Sequence, residues 1–536
     1  MRLRVILALL TALPAIFAMQ TVAAPGDTLR SIATPSGYTQ GLAFDGKHLW
    51  SCDRRNDQLY QIDPKDGHVV DSLSTPGYAP TAIAWDGKRI WCADAETSLL
   101  YAVNPTTRLT EWTISSPVEQ PEGLAWDGAY LWVADMAADK LHKIDPSDGT
   151  TIVSIPSPTA NSSDLTFYSR YLWAVDHFRD EIYMLTPDRG DVVITLSSPG
   201  KYPSGLAFDR KNLWVVDYQS DRIHQLVVDD GVPFARRESR KASIEFVHQV
   251  RNFGPDSVTT LHTYLAIPHD LDFQQLLGKI QYDPQPTDIV KDKWGQEVAR
   301  FDFANLGAGA QPSVTMRVNA ELFRVRYFVF PDKVGKLEDI PADIRSKYLA
   351  DDIKFSDTSL TIQEALKAAV GSETNPYWIG RRIFNYLIEH LEYERVGGWN
   401  TAPAVLERGN GSCSEYSFVY IAMCRAAGLP ARYVGSVVHR GEDACWDDVF
   451  HRWVEIYLPK YGWIPVDPSG GDSPWPQARA NSFGYLDNRF LITTIGGGGS
   501  EFLEWSYNAN ERWVSKGKCK IVVESFAEWT PGETTK

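Results

Sequence analysis

The chain has 536 residues, room for three or four domains and too many for one hydrophobic core. Lys and Arg number 53 and Asp and Glu 68, a formal charge of −15, which argues against a general nucleic-acid binder with its basic face. Hydrophobic residues at 43% and charged residues at 23% describe a globular chain, and six Cys are too sparse for a disulfide scaffold. The unusual count is 18 Trp, which points to a repeated structural position, a carbohydrate or peptide surface, or both.

The N-terminus reads as an export signal. Met1-Arg2-Leu3-Arg4 is a short basic start, and Val5 to Met19 is apolar apart from Thr11 and Pro14. Small residues follow at Thr21-Val22-Ala23-Ala24. This predicts a signal peptide over residues 1–23, cleaved after Ala23, and a secreted or periplasmic product. The apolar run is shorter than the ~20 residues a spanning helix needs, and no later stretch is long enough.

Five segments then recur in exact register. They begin at Gly41 (GLAFDGKHLWSCD), Ala82 (AIAWDGKRIWCAD), Gly123 (GLAWDGAYLWVAD), Asp164 (DLTFYSRYLWAVD) and Gly205 (GLAFDRKNLWVVD), each step being 41 residues. Trp50, Trp91, Trp132, Trp173 and Trp214 keep the step, as do Asp53, Asp94, Asp135, Asp176 and Asp217. Four short strand patterns per unit at this period predict a five-bladed β-propeller over 25–233. The fifth unit lacks its fourth strand, and Asp27 to Pro35 resembles one, so the N-terminal strand is expected to close the ring. The unit resembles the NHL-like and related exported propellers. The recurrent Trp reads as packing and the recurrent Asp as a turn cap. The propeller is expected to be a rigid binding or spacer module for a further protein or glycan.

Residues 234–335 hold short alternating strands and predict an immunoglobulin-like β-sandwich with no chemistry of its own. The charge-rich run Lys333–Asp357 serves as a connector. Helical patterns follow at Ile362–Val370 and Pro376–Leu391, where Ile379, Ile383, Leu387 and Leu391 share one face.

Asn410 to Pro430 reads as loop then helix. Ser412 is the candidate N-cap, and Gly428 and Pro430 stop the helix. Cys413 therefore lies in the first turn, where free N–H groups and the helix dipole favour a thiolate. Its own N–H is aimed where an oxyanion would form. Cys424, further along the same helix, is expected to be inert core.

Phe450 to Pro468 reads as a β-hairpin with its turn at Pro459-Lys460. Centred on Pro459, the pairing sets Tyr457 opposite Tyr461, Glu455 opposite Trp463 and His451 opposite Asp467. Val454, Ile456, Ile464 and Val466 face the core, and His451 and Asp467 share the other face. The carboxylate can then hold one imidazole nitrogen while the other faces the thiol.

These residues, GNGSCSEYSFVYIAMCRAAGLPARYVG followed by FHRWVEIYLPKYGWIPVDPS, resemble the transglutaminase-like superfamily, with its papain-like Cys-His-Asp core. The resemblance covers about 340–500, within an α+β domain drawn at 336–500 and followed by a β extension at 501–536. It implies that Cys413, His451 and Asp467 are nucleophile, general base and orienting acid. The expected activity is an exported cysteine enzyme acting on peptide or glutamine-type amide bonds. Its thioester passes to water (hydrolase or protease) or to an amine (acyltransferase). The expected partner is a protein or peptide substrate, including cell-wall peptide. The competing reading is a non-catalytic binder of peptide or polysaccharide with a degenerate domain.

Trp399 and Trp446 are the candidates for substrate or oxyanion contacts, and Trp475 for a groove wall. A metal site drawn from Cys413, His439, His451 or Cys445 lacks paired ligand spacing. No cofactor is expected, and the sequence does not support calcium. Cys445 and Cys519 are candidates for a disulfide.

Overall fold

The computed structural model describes residues 24–395, 398–441 and 445–535. The predicted signal peptide, residues 1–23, lies outside them. The described chain is mostly β, with many small antiparallel sheets and a short helical stretch. Among the described residues no helix is long and apolar enough to cross a membrane.

Residues 28–226 form five four-stranded antiparallel sheets. The fourth strand of the fifth sheet is Thr28–Ala33, hydrogen-bonded to Arg222–Leu226. The first strands of the sheets pack in sequence, Thr39–Phe44 on Pro80–Trp85 and onward, until Pro203–Phe208 meets Thr39–Phe44 again. The 41-residue repeat has a clear physical basis. Each recurrent Trp is at most 2% exposed. In four units its indole N–H donates to the carboxylate five residues earlier: Asp45, Asp86, Asp127 and Asp209. The fourth unit has Tyr168 there, and the Trp173 N–H is left unpartnered. The strand-end Asp residues accept N–H bonds from their turns, as Asp53 does from Arg55 and Asn56 at 2.8 Å.

The fourth unit departs from the pattern a second time. Where the repeat has Gly or Ala, it has Asp164, fully buried. Its carboxylate accepts N–H bonds from Leu206 at 2.7 Å, Leu42 at 3.2 Å and Leu124 at 3.4 Å. One side chain thus ties the first strands of three other sheets. Close approach makes room for it: a Cβ on Gly41 would lie 2.8 Å from Ala82 Cα, and one on Gly205 3.0 Å from the Gly41 carbonyl carbon.

The rest of the chain runs in order through β1 (Phe234–Pro255), β2 (Val258–Ala266), β3 (Glu297–Leu306), β4 (Ser313–Tyr327), α1 (Leu360–Val370), α2 (Pro376–His390), α3 (Ala402–Arg408), α4 (Cys413–Ala426), β5 (Ala431–Val438), β6 (Cys445–Asp447), β7 (His451–Leu458), β8 (Gly462–Val466), β9 (Phe490–Gly496), β10 (Ala509–Ser515) and β11 (Cys519–Thr535). β1 pairs with β4 on one side and β11 on the other, while β2 pairs with β3 and β10. The two sheets share a core that includes Ile244, Phe246, Leu265, Phe301 and Trp529. Ala509–Ser515 and Cys519–Thr535, within the stretch read as an appended extension, thus pair into both of these sheets.

α1, α2 and α4 pack together, and α4 lies on the sheet of order β8-β7-β5-β9. α4 is buried along almost its whole length, so its stability comes from packing all round rather than from one apolar stripe.

Candidate active site

Cys413 opens α4 and is 8% exposed. Ser412 occupies the N-cap in extended backbone, and its N–H donates to Glu415 Oε2 at 3.0 Å. Glu415 is fully buried, and it also accepts from Arg408 at 3.0 Å and from the Asn400 side chain at 2.8 Å. The first turn is therefore clamped from three sides, which fixes where Cys413 points.

His451 begins β7, and its Nε2 lies 2.7 Å from Asp467 Oδ2. With Nε2 engaged, Nδ1 is the ring nitrogen left to serve Cys413, and the thiol and the imidazole each favour the other's charged form. Asp467 Oδ1 is held by the Gly470 N–H at 2.9 Å and the Ser469 hydroxyl at 2.8 Å. His451 and Asp467 side chains are only 18% and 25% exposed, so their attraction is little screened.

The hairpin differs from its predicted register. Leu458 pairs with Gly462, Tyr457 with Trp463, Glu455 with Pro465 and Val454 with Val466. The turn is at Pro459-Lys460 as expected, closed by Tyr461 N–H to the Leu458 carbonyl at 3.0 Å. Lys460 (φ 76°) and Gly462 (φ 80°) both take left-handed backbone, so Tyr461 becomes an extra residue before pairing starts. The centre moves from Pro459 to Lys460. Asp467 consequently follows the last paired residue, and His451 reaches it diagonally. The slip moves each partner by two residues, so faces are preserved: Val454, Ile456, Ile464 and Val466 are all fully buried.

The electrostatics suit a nucleophile. Burial pushes the Cys413 thiol up. The His451 hydrogen bond and charge, the Arg452 backbone N–H and the Arg452 charge outweigh it and bring the thiol below its usual value. Burial pulls His451 down, but the Asp467 charge and hydrogen bond raise it to about 10. Burial raises Asp467, and the His451 charge and bond more than reverse this. Cys424 is fully buried, and burial drives its thiol upward. Only one of the two cysteines in α4 is set up to ionise.

The other predicted residues are placed as follows. Trp399 is 40% exposed, with its ring 5.6 Å from the Arg452 guanidinium carbon. It borders a 460 Å³ cavity with His248 and Trp505. Trp446 lies in β6, paired to β11, and stacks on Phe526 at 3.9 Å, so the sheet containing β11 holds it. Trp475 is exposed at the start of the short helix Pro476–Ala480. A 310 Å³ cavity beside Asp467 is lined by Trp453, Asn481, Tyr485 and Phe490. Cys445 and Cys519 do not pair: both are free, and Cys445 faces Trp529, ten residues along β11 from Cys519. Among the described residues no three His, Cys, Asp or Glu side chains group as a metal site.

Two buried charged residues beside Cys413 and His451 were not among the expected site residues: Arg452, whose guanidinium carbon lies 4.4 Å from the ring centre of Tyr507, and Glu415. Arg452 carried a signal: alternation puts it on the core face with Val454 and Ile456, where a charge is out of place. Glu415 stood at the third position after a Ser N-cap, the spacing of a capping box.

A model of the transglutaminase-like superfamily matches residues 364–468, which include all three residues of the relay. Residues 364–468 form a transglutaminase-like domain. The uncharacterized Bacillus subtilis protein YebA is 26% identical over 170 residues, 30% of this chain and 21% of its own length. An uncharacterized Haemophilus influenzae protein is 28% identical over 156 residues, 22% of this chain and 41% of its own. The chain thus spans less than half of either curated relative. Among solved structures, a candidate cysteine protease from Cytophaga hutchinsonii shares 13% identity at TM-score 0.40, over 56% of this chain and 100% of that one. Myxococcus xanthus glutaminyl cyclase shares 17% identity at TM-score 0.35, over 38% and 97%.

Proposed function

We propose that the protein is an exported, cysteine-dependent acyl-transfer enzyme acting on peptide or glutamine-type amide bonds. The observation that carries this reading is the relay from Cys413 through His451 to Asp467, with Nε2 and Oδ2 at 2.7 Å. The Cys413 thiolate attacks the amide carbonyl, and the developing oxyanion meets the Cys413 N–H at the start of α4. His451, protonated, gives its proton to the departing ammonia or amine, leaving a thioester. Neutral His451 then takes a proton from water or from a second amine, which attacks the thioester and restores the thiolate. Asp467 holds the ring orientation and stabilises the imidazolium.

In the same reading residues 25–233 are a five-bladed β-propeller, supported by the cyclic packing of the five sheets and by the N-terminal strand in the fifth. Residues 1–23 direct export, and the propeller presents the enzyme to a protein or glycan. The substrate is a protein or peptide, cell-wall peptide included.

The test is ammonia release and mass change on glutamine-containing peptides, with and without a primary amine. Loss of 17 Da balanced by water or by the added amine, absent in Cys413→Ala, is the expected result, the mass following from amide chemistry at roughly this value. If Cys413→Ala matches the native protein on amide substrates, the non-catalytic binder takes its place.

A further inference from the structure

Arg452 follows His451 directly and is fully buried. Its guanidinium carbon lies 4.4 Å from the ring centre of Tyr507, 4.6 Å from Tyr433, 5.2 Å from Phe418 and 5.6 Å from Trp399. Nη2 donates to the Trp505 carbonyl at 2.5 Å, while Nε and Nη1 have no hydrogen-bond partner. Among the described residues Arg452 makes no ion pair with a carboxylate, although its neighbour His451 does. A buried cation with two empty donors is expensive, and buried charges in proteins are as a rule paired. Aromatic faces help a cation but carry no net charge to balance it. The group able to supply that charge is Cys413. β7, which carries Arg452, packs directly on α4, which Cys413 opens, and the two side chains attract each other when the thiol is ionised.

We propose that Arg452 is the buried counter-cation of the Cys413 thiolate, a positioning residue that keeps the nucleophile ionised in the resting enzyme. This rests on the acyl-transfer reading above and deepens it. The titratable groups facing the thiol are His451, Arg452, Tyr393 and Tyr507. Asp467 acts on it through His451. Those facing the guanidinium are Tyr433, Tyr507 and Cys413. Arg452 keeps its charge across the working pH range, so it offsets the titration of the thiol without adding one of its own. His451 neutralises the thiolate only while protonated; Arg452 holds a fixed positive charge whether or not His451 is protonated, and so also meets the charge that returns to sulfur as the thioester breaks.

The experiment is alkylation of Cys413 by iodoacetamide across pH, read on the Cys413 peptide by mass spectrometry so that Cys445 and Cys519 do not contribute. The full chain is compared with R452M and R452K. In R452M an apolar side chain of similar reach fills the cage, and the alkylation midpoint is expected to rise by about one pH unit or more, roughly tenfold less thiolate below it. Its unfolding temperature is expected to hold or rise, since an unpaired buried charge has gone. R452K keeps the charge and is expected to keep the native midpoint. A native midpoint in R452M, or a shift in R452K as large as in R452M, overturns the proposal. If R452M does not fold, R452Q is read by the same criterion. A native Cys413 that reacts no faster than free cysteine at any pH overturns the acyl-transfer reading itself, an outcome distinct from a failure confined to the Arg452 variants.

Discussion

Asp467 Oδ2 sits 2.7 Å from His451 Nε2 although Asp467 lies one residue past Val466, the last paired residue of β8. The carboxylate is no longer held by sheet pairing, so other bonds must aim it. Its Oδ1 takes the Gly470 N–H and the Ser469 hydroxyl, and its own N–H donates to the Ser482 carbonyl at 2.8 Å. A Cβ on Gly470 would lie 2.7 Å from Oδ2, within the space the carboxylate needs. Gly470→Ala is therefore expected to rotate Asp467 off His451 and to slow amide turnover by about 10-fold, since small misplacement in such relays is expensive. Steady-state kinetics with an unfolding scan checks this: the expected loss is in kcat, at nearly unchanged stability.

Substituting the relay itself tests the division of roles. Cys413→Ala is expected to abolish turnover. Asp467→Asn keeps the shape but removes the charge that orients and stabilises the imidazolium, and is expected to reduce kcat by roughly 10³ to 10⁴. Single-turnover assays on an amide peptide measure both. An Asp467→Asn protein of native activity would remove Asp467 from the mechanism.

The pH dependence has a defined sign. Thiolate forms as pH rises through a thiol value brought below the usual 9.0, and protonated His451 is lost near pH 10. Activity is expected to climb on the acid limb and fall on an alkaline limb near 10. Asp467→Asn removes the charge that raises His451, so its alkaline limb is expected to move down. The raised His451 value also means that its pairing stabilises the fold most at pH below the free imidazole value. That contribution is lost as pH rises through about 10. A kcat/KM profile over pH and thermal unfolding at matched pH read the two effects.

Glu415 anchors the first turn of α4, where Cys413 sits. Its side chain is fully buried and holds the Ser412 N–H, Asn400 and Arg408. Glu415→Ala takes the acceptor from the Ser412 N–H at the start of α4 and from the Asn400 side chain, while Arg408 keeps Asn410, with an expected loss of about 2–4 kcal/mol. Denaturant unfolding gives the number, and Glu415→Gln, which keeps an acceptor, is expected to recover part of it.

Asp164 offers the same test in the repeat. Asp164→Gly restores the residue of most other units but strips the acceptor from the Leu42, Leu124 and Leu206 N–H groups. The expected loss is about 2–4 kcal/mol, with amide exchange at these three leucines rising most. Exchange unchanged at these positions would show that the central carboxylate is dispensable.

Much of this protein is written in local sequence. A 41-residue step in Trp and Asp, strands separated by Asp-Gly turns, and a Cys after a Ser N-cap are short-range signals, and the five sheets and the start of α4 follow them. The faces of the hairpin were legible for the same reason, because alternation depends only on parity. Its register was not: two left-handed residues, Lys460 and Gly462, add a residue to the turn, and only the folded backbone shows it. The diagonal reach of His451 to Asp467, the ties from Asp164 to distant strands and the aromatic cage around Arg452 join residues far apart in the chain. Local propensity has no means of specifying which distant groups meet. Packing decides that, because a buried charge or amide must find its partner wherever the fold places one.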